Sequence, residues 1–179
     1  MTQRTHTSSL EGRSFTYLEV GATEVASTTW AGAPIEFRRY ERTVAIETAW
    51  DDARLLMLQW AVKTRSGFTI DSNDGEAAAA GSSAWLSLSI GPVAVREPIR
   101  VVAVVDTPLR CGFSYGTLVG HPVSGEEAFV LHRLSDRDPV SLTIRSLTRP
   151  APNGFWRYAF PLLLVAQRAF RRRYLRSIE

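Results

Sequence analysis

Residues 155–178, FWRYAFPLLLVAQRAFRRRYLRSI, decide how the rest of the chain is read. Phe155, Ala159, Leu163, Ala166, Phe170, Tyr174 and Ile178 recur at three- and four-residue steps, and Leu162 and Ala169 widen the stripe. That spacing predicts a helix with one apolar face, roughly 35 Å long at 1.5 Å per residue. Pro150 and Pro152 stop the segment before it, Asn153 is placed to cap it, and Pro161 predicts a distorted first turn or a kink. Arg168, Arg172 and Arg176 follow one another at four-residue steps on the opposite side. A stripe of this length has to be buried against something.

Working back from the helix, the chain has a period of two. Residues 85–90 alternate cleanly, with Leu86, Leu88 and Ile90 on one face and Ser87 and Ser89 on the other. Residues 99–105 are almost all β-branched, as in a strand buried on both faces. In residues 110–118, Cys111, Phe113, Tyr115 and Thr117 share a face. Residues 68–71, 126–134 and 140–147 read as further strands, and residues 37–46 as one before them. A helix stands between the first strand and the rest: Thr48 as cap, Asp51 and Asp52 in the first turn, and Trp50, Ala53, Met57, Trp60, Ala61 and Thr64 at helical spacing. Gly67 ends it. Short connections through Gly91-Pro92, Asp106-Thr107-Pro108 and Gly120-His121-Pro122 imply antiparallel pairing. The expectation is an α+β helix-grip fold: a curled seven-stranded antiparallel sheet around a long C-terminal helix. Ala103, Gly112, Gly116 and Ala128 leave room for a cavity between them.

Composition sets limits on function. The chain has 179 residues with 45% hydrophobic and 22% charged, which suits one domain and is too apolar for disorder. Residues 1–13 read as a disordered tail and 14–179 as a single domain. The longest apolar run, residues 158–166, is less than half of the roughly 20 residues a membrane helix needs. Cys111 is the single cysteine, so no internal disulfide forms. The opening MTQRTHTSSLEGR lacks the apolar core of a signal peptide. Together these predict a cytoplasmic protein. All basic residues but Lys63 are arginine, yet the net charge is only +3, too small an excess for a nucleic-acid binder. No phosphate loop, metal-ligand spacing or nucleophile elbow appears, so no cofactor and no metal are expected.

Residues 15–23, FTYLEVGAT, and 112–122, GFSYGTLVGHP, continuing through Gly125, Glu126, Glu127, Ala128 and Phe129, carry a resemblance. With Arg149-Pro150-Ala151 and Arg172-Arg173-Tyr174-Leu175, they are similar to the uncharacterised family known as domain of unknown function nineteen-ninety, which has bacterial and plant members. The resemblance covers the chain from Phe15 on. Leu18 and Val119 depart from it, standing where the family tends to proline. It implies a fold like that of the START-like, birch-pollen-allergen-like (SRPBCC) superfamily, and it brings no established activity. Members of that superfamily hold hydrophobic molecules under the C-terminal helix, and some catalyse cyclisation or hydrolysis there.

Three functional readings follow. The first is binding of a small hydrophobic, lipid- or polyketide-like molecule between sheet and helix, lined by Trp60, Cys111, Phe113, Tyr115, Leu163, Phe170 and Tyr174. The second is an enzyme of cyclase or hydrolase type, with His121 as base and Tyr115, Glu126 or Glu127 as partners converging across a hairpin. Against it stands a structural role, with the imidazole satisfying its own turn and a glutamate pairing with Arg110. The third is contact with a membrane surface or partner through the basic terminal helix. Oligomeric state leaves no signature in the sequence.

Overall fold

In the computed structural model, which describes residues 10, 12–32, 35–72, 75–90 and 93–179, the period-two segments form one antiparallel sheet. Its strands are β1 (Arg38–Ile46), β2 (Phe68–Ser72), β3 (Ser83–Ile90), β4 (Val93–Thr107), β5 (Arg110–Thr117), β6 (Val123–His132) and β7 (Val140–Pro150). Their order is β1-β7-β6-β5-β4-β3-β2, so each neighbour except β1–β7 is joined by a sequential connection. The helices are α1 (Trp50–Leu58), α2 (Ala61–Thr64) and α3 (Phe155–Tyr174). The sheet curls, and a register shift between Val101 and Ala103 bends β4 where it pairs with β5.

Alternation assigns each strand a concave and a convex face. Phe113, Tyr115, Phe129 and Ile144 face the helices and join Met57, Trp60, Leu86, Tyr174 and Ile178 in the main core. The convex face is covered by the chain before β1. This segment has little regular structure beyond a single bridge between Phe15 and Leu118, and its Tyr17, Trp30 and Phe37 pack on Leu147. Val25 packs on Ala128 and Val130, with Ala103 against them. Gly116 is needed here, because a Cβ would stand 2.1 Å from the Tyr17 hydroxyl and 2.8 Å from the Phe15 ring. The room at Ala103, Gly116 and Ala128 therefore goes to the N-terminal segment, and that at Gly112 to the backbone of β6, where a Cβ would stand 2.1 Å from Phe129 O, not to a cavity under the helix.

Buried charges hold this irregular segment down, since its backbone groups have no ladder to pair with. Glu126 accepts from the Tyr17 hydroxyl at 2.8 Å, from Gly21 N at 2.8 Å, and from both the amide and hydroxyl of Thr23. Arg110 donates to the carbonyls of Val25 and Ser27. Arg145 donates to Glu24 O at 2.7 Å and pairs with Glu41 at 2.9 Å.

Several local expectations give way. The single helix after β1 is two, broken at Trp60, whose backbone is left-handed (φ 61°). The cap of α1 is Ala49, and Thr48 instead donates to the carbonyl of Ile178, tying the chain end to the core. Gly154, with φ 82° and no side-chain bond, stands at the cap of α3 in place of Asn153. β4 starts well before residue 99. Leu10 is buried and Arg13 donates to Val119 O at 2.8 Å, while residues 1–9 and 11 of the expected tail, and the Gly91-Pro92 turn, lie outside the described residues. Among the described residues no helix is long and apolar enough to cross a membrane.

Candidate functional site

A cavity of about 130 Å³ lies between the concave face and α3. Its wall is mostly apolar, with Phe68, Leu88 and Val95 from the sheet and Leu163, Ala166 and Phe170 from the helix. The helical residues are only half-buried, because α3 buries just Phe160 and Tyr174 completely. Lys63, Glu127, Tyr115 and Tyr174 make one end of the cavity polar, and Glu97 and His121 stand on its wall.

Lys63 arrives there through the break at Trp60. A left-handed residue costs on the order of 1–2 kcal/mol, and the Trp60 ring offsets this by packing on Phe113, with centroids 4.5 Å apart. The turn reorients α2, so that Lys63 is buried and Thr64 exposed. Lys63 Nζ donates to Glu127 Oε2 at 2.7 Å and to the Tyr174 hydroxyl at 2.8 Å, and the Tyr115 hydroxyl donates to the same carboxylate oxygen. The ammonium also lies 4.3 Å from the ring centre of Tyr174 and 4.9 Å from that of Phe68, within cation–π range. Burial alone would raise the Glu127 carboxyl, but the charge and hydrogen bond of Lys63, with the bond from Tyr115, hold it below its usual value. Burial first, then the Glu127 charge, pushes both tyrosine hydroxyls well above theirs.

Glu97 comes from the early part of β4 and faces His121, with Oε2 3.7 Å from Nε2. Burial pushes the Glu97 carboxyl up to about 7, Lys63 opposing and Glu127 adding to the rise. Burial pushes His121 down to about 3, against the Val123 carbonyl 3.0 Å from Nδ1, which favours the protonated ring. Near neutral pH the imidazole is therefore uncharged and the two groups are not an ion pair. Glu97, by contrast, changes charge close to neutrality, the range in which a carboxyl can both give and take a proton.

Tyr115, Leu163, Phe170 and Tyr174 stand on the cavity wall. Trp60, Phe113 and Cys111 lie beyond that wall in the core between α1 and the sheet. The Cys111 thiol is raised to about 12, chiefly by burial. Of the residues expected around His121, Tyr115 and Glu127 come together. The carboxylate of Glu126 turns to the opposite face of β6 and is consumed by the N-terminal segment. Arg110 meets carbonyls rather than either glutamate. His121 also satisfies its turn, its Nδ1 accepting from Val123 N at 3.1 Å. Lys63, Glu97 and Gln167 are polar residues of the cavity wall that the reading of the sequence missed, as it did the apolar Phe68, Leu88 and Val95. Lys63 carried one signal, its being the sole lysine in an arginine-rich chain. His6 lies outside the described residues, and among those described no three His, Cys, Asp or Glu side chains cluster as metal ligands.

The model of the family described as Domain of unknown function (DUF1990) matches residues 16–177. The UPF0548 protein of Deinococcus radiodurans is 44% identical over 79 residues, a stretch that covers 44% of this chain and 39% of that protein. Three solved structures share the fold. Ara h 8.0201 superposes with a TM-score of 0.54 at 5% identity, over 79% of this chain and 97% of its own. The hypothetical protein jhp0584 from Helicobacter pylori gives 0.55 at 9%, over 79% and 84%. A norcoclaurine synthase point mutant from Thalictrum flavum gives 0.52 at 10%, over 79% and 94%.

Proposed function

We propose that this chain, which belongs to the DUF1990 family, binds a small, largely apolar molecule between the sheet and α3. The observation that carries the reading is the cavity itself: about 130 Å³, close to the roughly 150 Å³ apolar cavity that takes benzene. That size fits one ring, and a larger molecule would extend out through the open side of the cavity. The half-buried helical wall supports ligand entry on the α3 side. Titration with ethylbenzene, followed by the methyl signals of Leu88, Val95 and Leu163, tests this. Saturable shifts at those residues are expected, and Ala166→Phe, which fills the space, removes them. Shifts that never saturate, or that survive the filled cavity, count against it.

The outward face of α3 favours a second reading, contact with an anionic lipid surface. Phe155, Tyr158, Leu162 and Val165 are all more than 60% exposed. Arg168 and Arg172 continue the same side, Arg176 follows in the turn just past the helix, and α3 contains no acidic residue. An apolar patch next to unopposed cations matches headgroup charge and acyl boundary together.

A further inference from the structure

We propose that the polar end of the cavity selects a neutral carbonyl oxygen, so that the ligand is a cyclic or aromatic carbonyl compound, not a hydrocarbon or a carboxylate. This rests on the cavity being a binding site and goes on to name its ligand class. The argument is a count of donors. An ammonium has three N–H groups; Lys63 commits two, to Glu127 and Tyr174. The Tyr174 hydroxyl accepts from Lys63, and among the described residues its own hydrogen meets no acceptor. Tyr115 is already spent on Glu127. Two donors one hydrogen bond apart are therefore left at the end of an apolar pocket, and a carbonyl oxygen with two lone pairs can take both. The surrounding rings of Tyr174 and Phe68 meet part of the ammonium's charge, but neither supplies an oxygen acceptor, and a hydrocarbon ligand adds none.

Charge argues for a neutral acceptor. Lys63 is already balanced by Glu127 at 2.7 Å. A carboxylate ligand would bring a further negative charge beside Glu127 and across from Glu97, which itself becomes negative above neutrality. On the helical wall, Gln167 Oε1 is buried with no hydrogen-bond partner among the described residues, while its Nε2 donates to Thr148 Oγ1 at 3.0 Å. That free acceptor suits a hydroxyl or N–H elsewhere on the same ligand.

Because Lys63 is the sole lysine, protein made with ¹³C-lysine reports this end of the cavity through one residue. Acetophenone, ethylbenzene and benzoate are compared at pH 8. Acetophenone is expected to move the Lys63 signal saturably and to bind at least tenfold more tightly than ethylbenzene and than benzoate. Tyr174→Phe, which keeps the ring and removes the donor, should shrink the acetophenone preference over ethylbenzene to threefold or less. Equal binding of acetophenone and ethylbenzene, or a preference unchanged in Tyr174→Phe, overturns the donor assignment and leaves the cavity reading standing. Tighter binding of benzoate overturns the choice of a neutral ligand. Failure of all three probes to bind overturns the cavity reading with it.

Discussion

Glu97 and His121 face each other across 3.7 Å, and burial displaces them in opposite directions, which makes their effect on stability separable by pH. Glu97 rises from 4.5 to about 7. The folded state then holds its proton more tightly than the unfolded chain does, so the cost of burying Glu97 is absent below about pH 4.5, grows between, and is complete above about 7. At about 1.4 kcal/mol per unit that cost is on the order of 3 kcal/mol. His121 falls from 6.5 to about 3. Its burial is free above about 6.5 and becomes costly on acidification, because the unfolded chain takes up a proton that the folded state refuses. Glu97→Gln should therefore gain stability over the natural chain progressively from pH 4.5 to 7, and His121→Gln progressively from pH 6.5 down to 3. Denaturant titrations at constant ionic strength across this range measure both differences. A Glu97→Gln difference that stays flat from pH 4 to 8 would show that the carboxyl is not buried beside Lys63 and Glu127.

At the scale of the strand, parity decides what a residue is for. Glu126 and Glu127 are neighbours in β6, and alternation sends one to the N-terminal segment and the other to the cavity. Glu126→Gln should cost about 2 kcal/mol, since it weakens charge-assisted bonds to Tyr17, Gly21 and Thr23 in a buried setting. It should also speed proteolysis of residues 16–28 and leave ethylbenzene affinity within twofold. A variant of full stability that no longer binds ethylbenzene would mean that Glu126 serves the cavity after all. The strands, the terminal helix and the antiparallel connections were legible because alternation and helical spacing are local, and local patterns survive into this fold. What was not legible depended on tertiary contacts. Trp60 turns left-handed for the sake of the Phe113 ring, which breaks the helical spacing and hides Lys63. Pro98 pairs with Trp85 inside β4, although proline usually argues against a ladder position, and so the strand read from the sequence began only at residue 99 and left Glu97 outside it. The N-terminal segment has no period at all, and it stays down through tertiary contacts alone: the buried charges beneath it and the packing of Tyr17, Val25, Trp30 and Phe37 on the sheet.

For the whole molecule, α3 is the element with two loyalties. Its C-terminal end is fixed: Tyr174, Leu175 and Ile178 are buried, Thr48 donates to Ile178 O, and Arg65 donates to Ser177 O at 3.0 Å. Toward its N-terminus only Phe160 is buried, and Phe155, counted from the sequence on the inward stripe, is 73% exposed. At 100° per residue it stands about 80° round from Leu163, at the edge of the inward face. Leu162 and Ala169, expected to widen that stripe, are exposed as well. Apolar residues that the sheet does not cover have to be tolerated in water or met by something else. If an anionic bilayer meets them, both the patch and the arginines must matter. Recovery on phosphatidylglycerol-containing vesicles should be clear at low salt and fall steeply by 1 M, where the screening length is about 3 Å. Each cation near such a surface is worth about 1 kcal/mol, so Arg168→Gln combined with Arg172→Gln should weaken partitioning at least tenfold. Leu162→Ser combined with Val165→Ser should weaken it to a similar degree at every salt concentration, while leaving acetophenone binding intact. Equal recovery on purely zwitterionic vesicles, or loss of the arginines without effect, would mean that the outward face of α3 is simply exposed and that the only molecule this helix meets is the one beneath it.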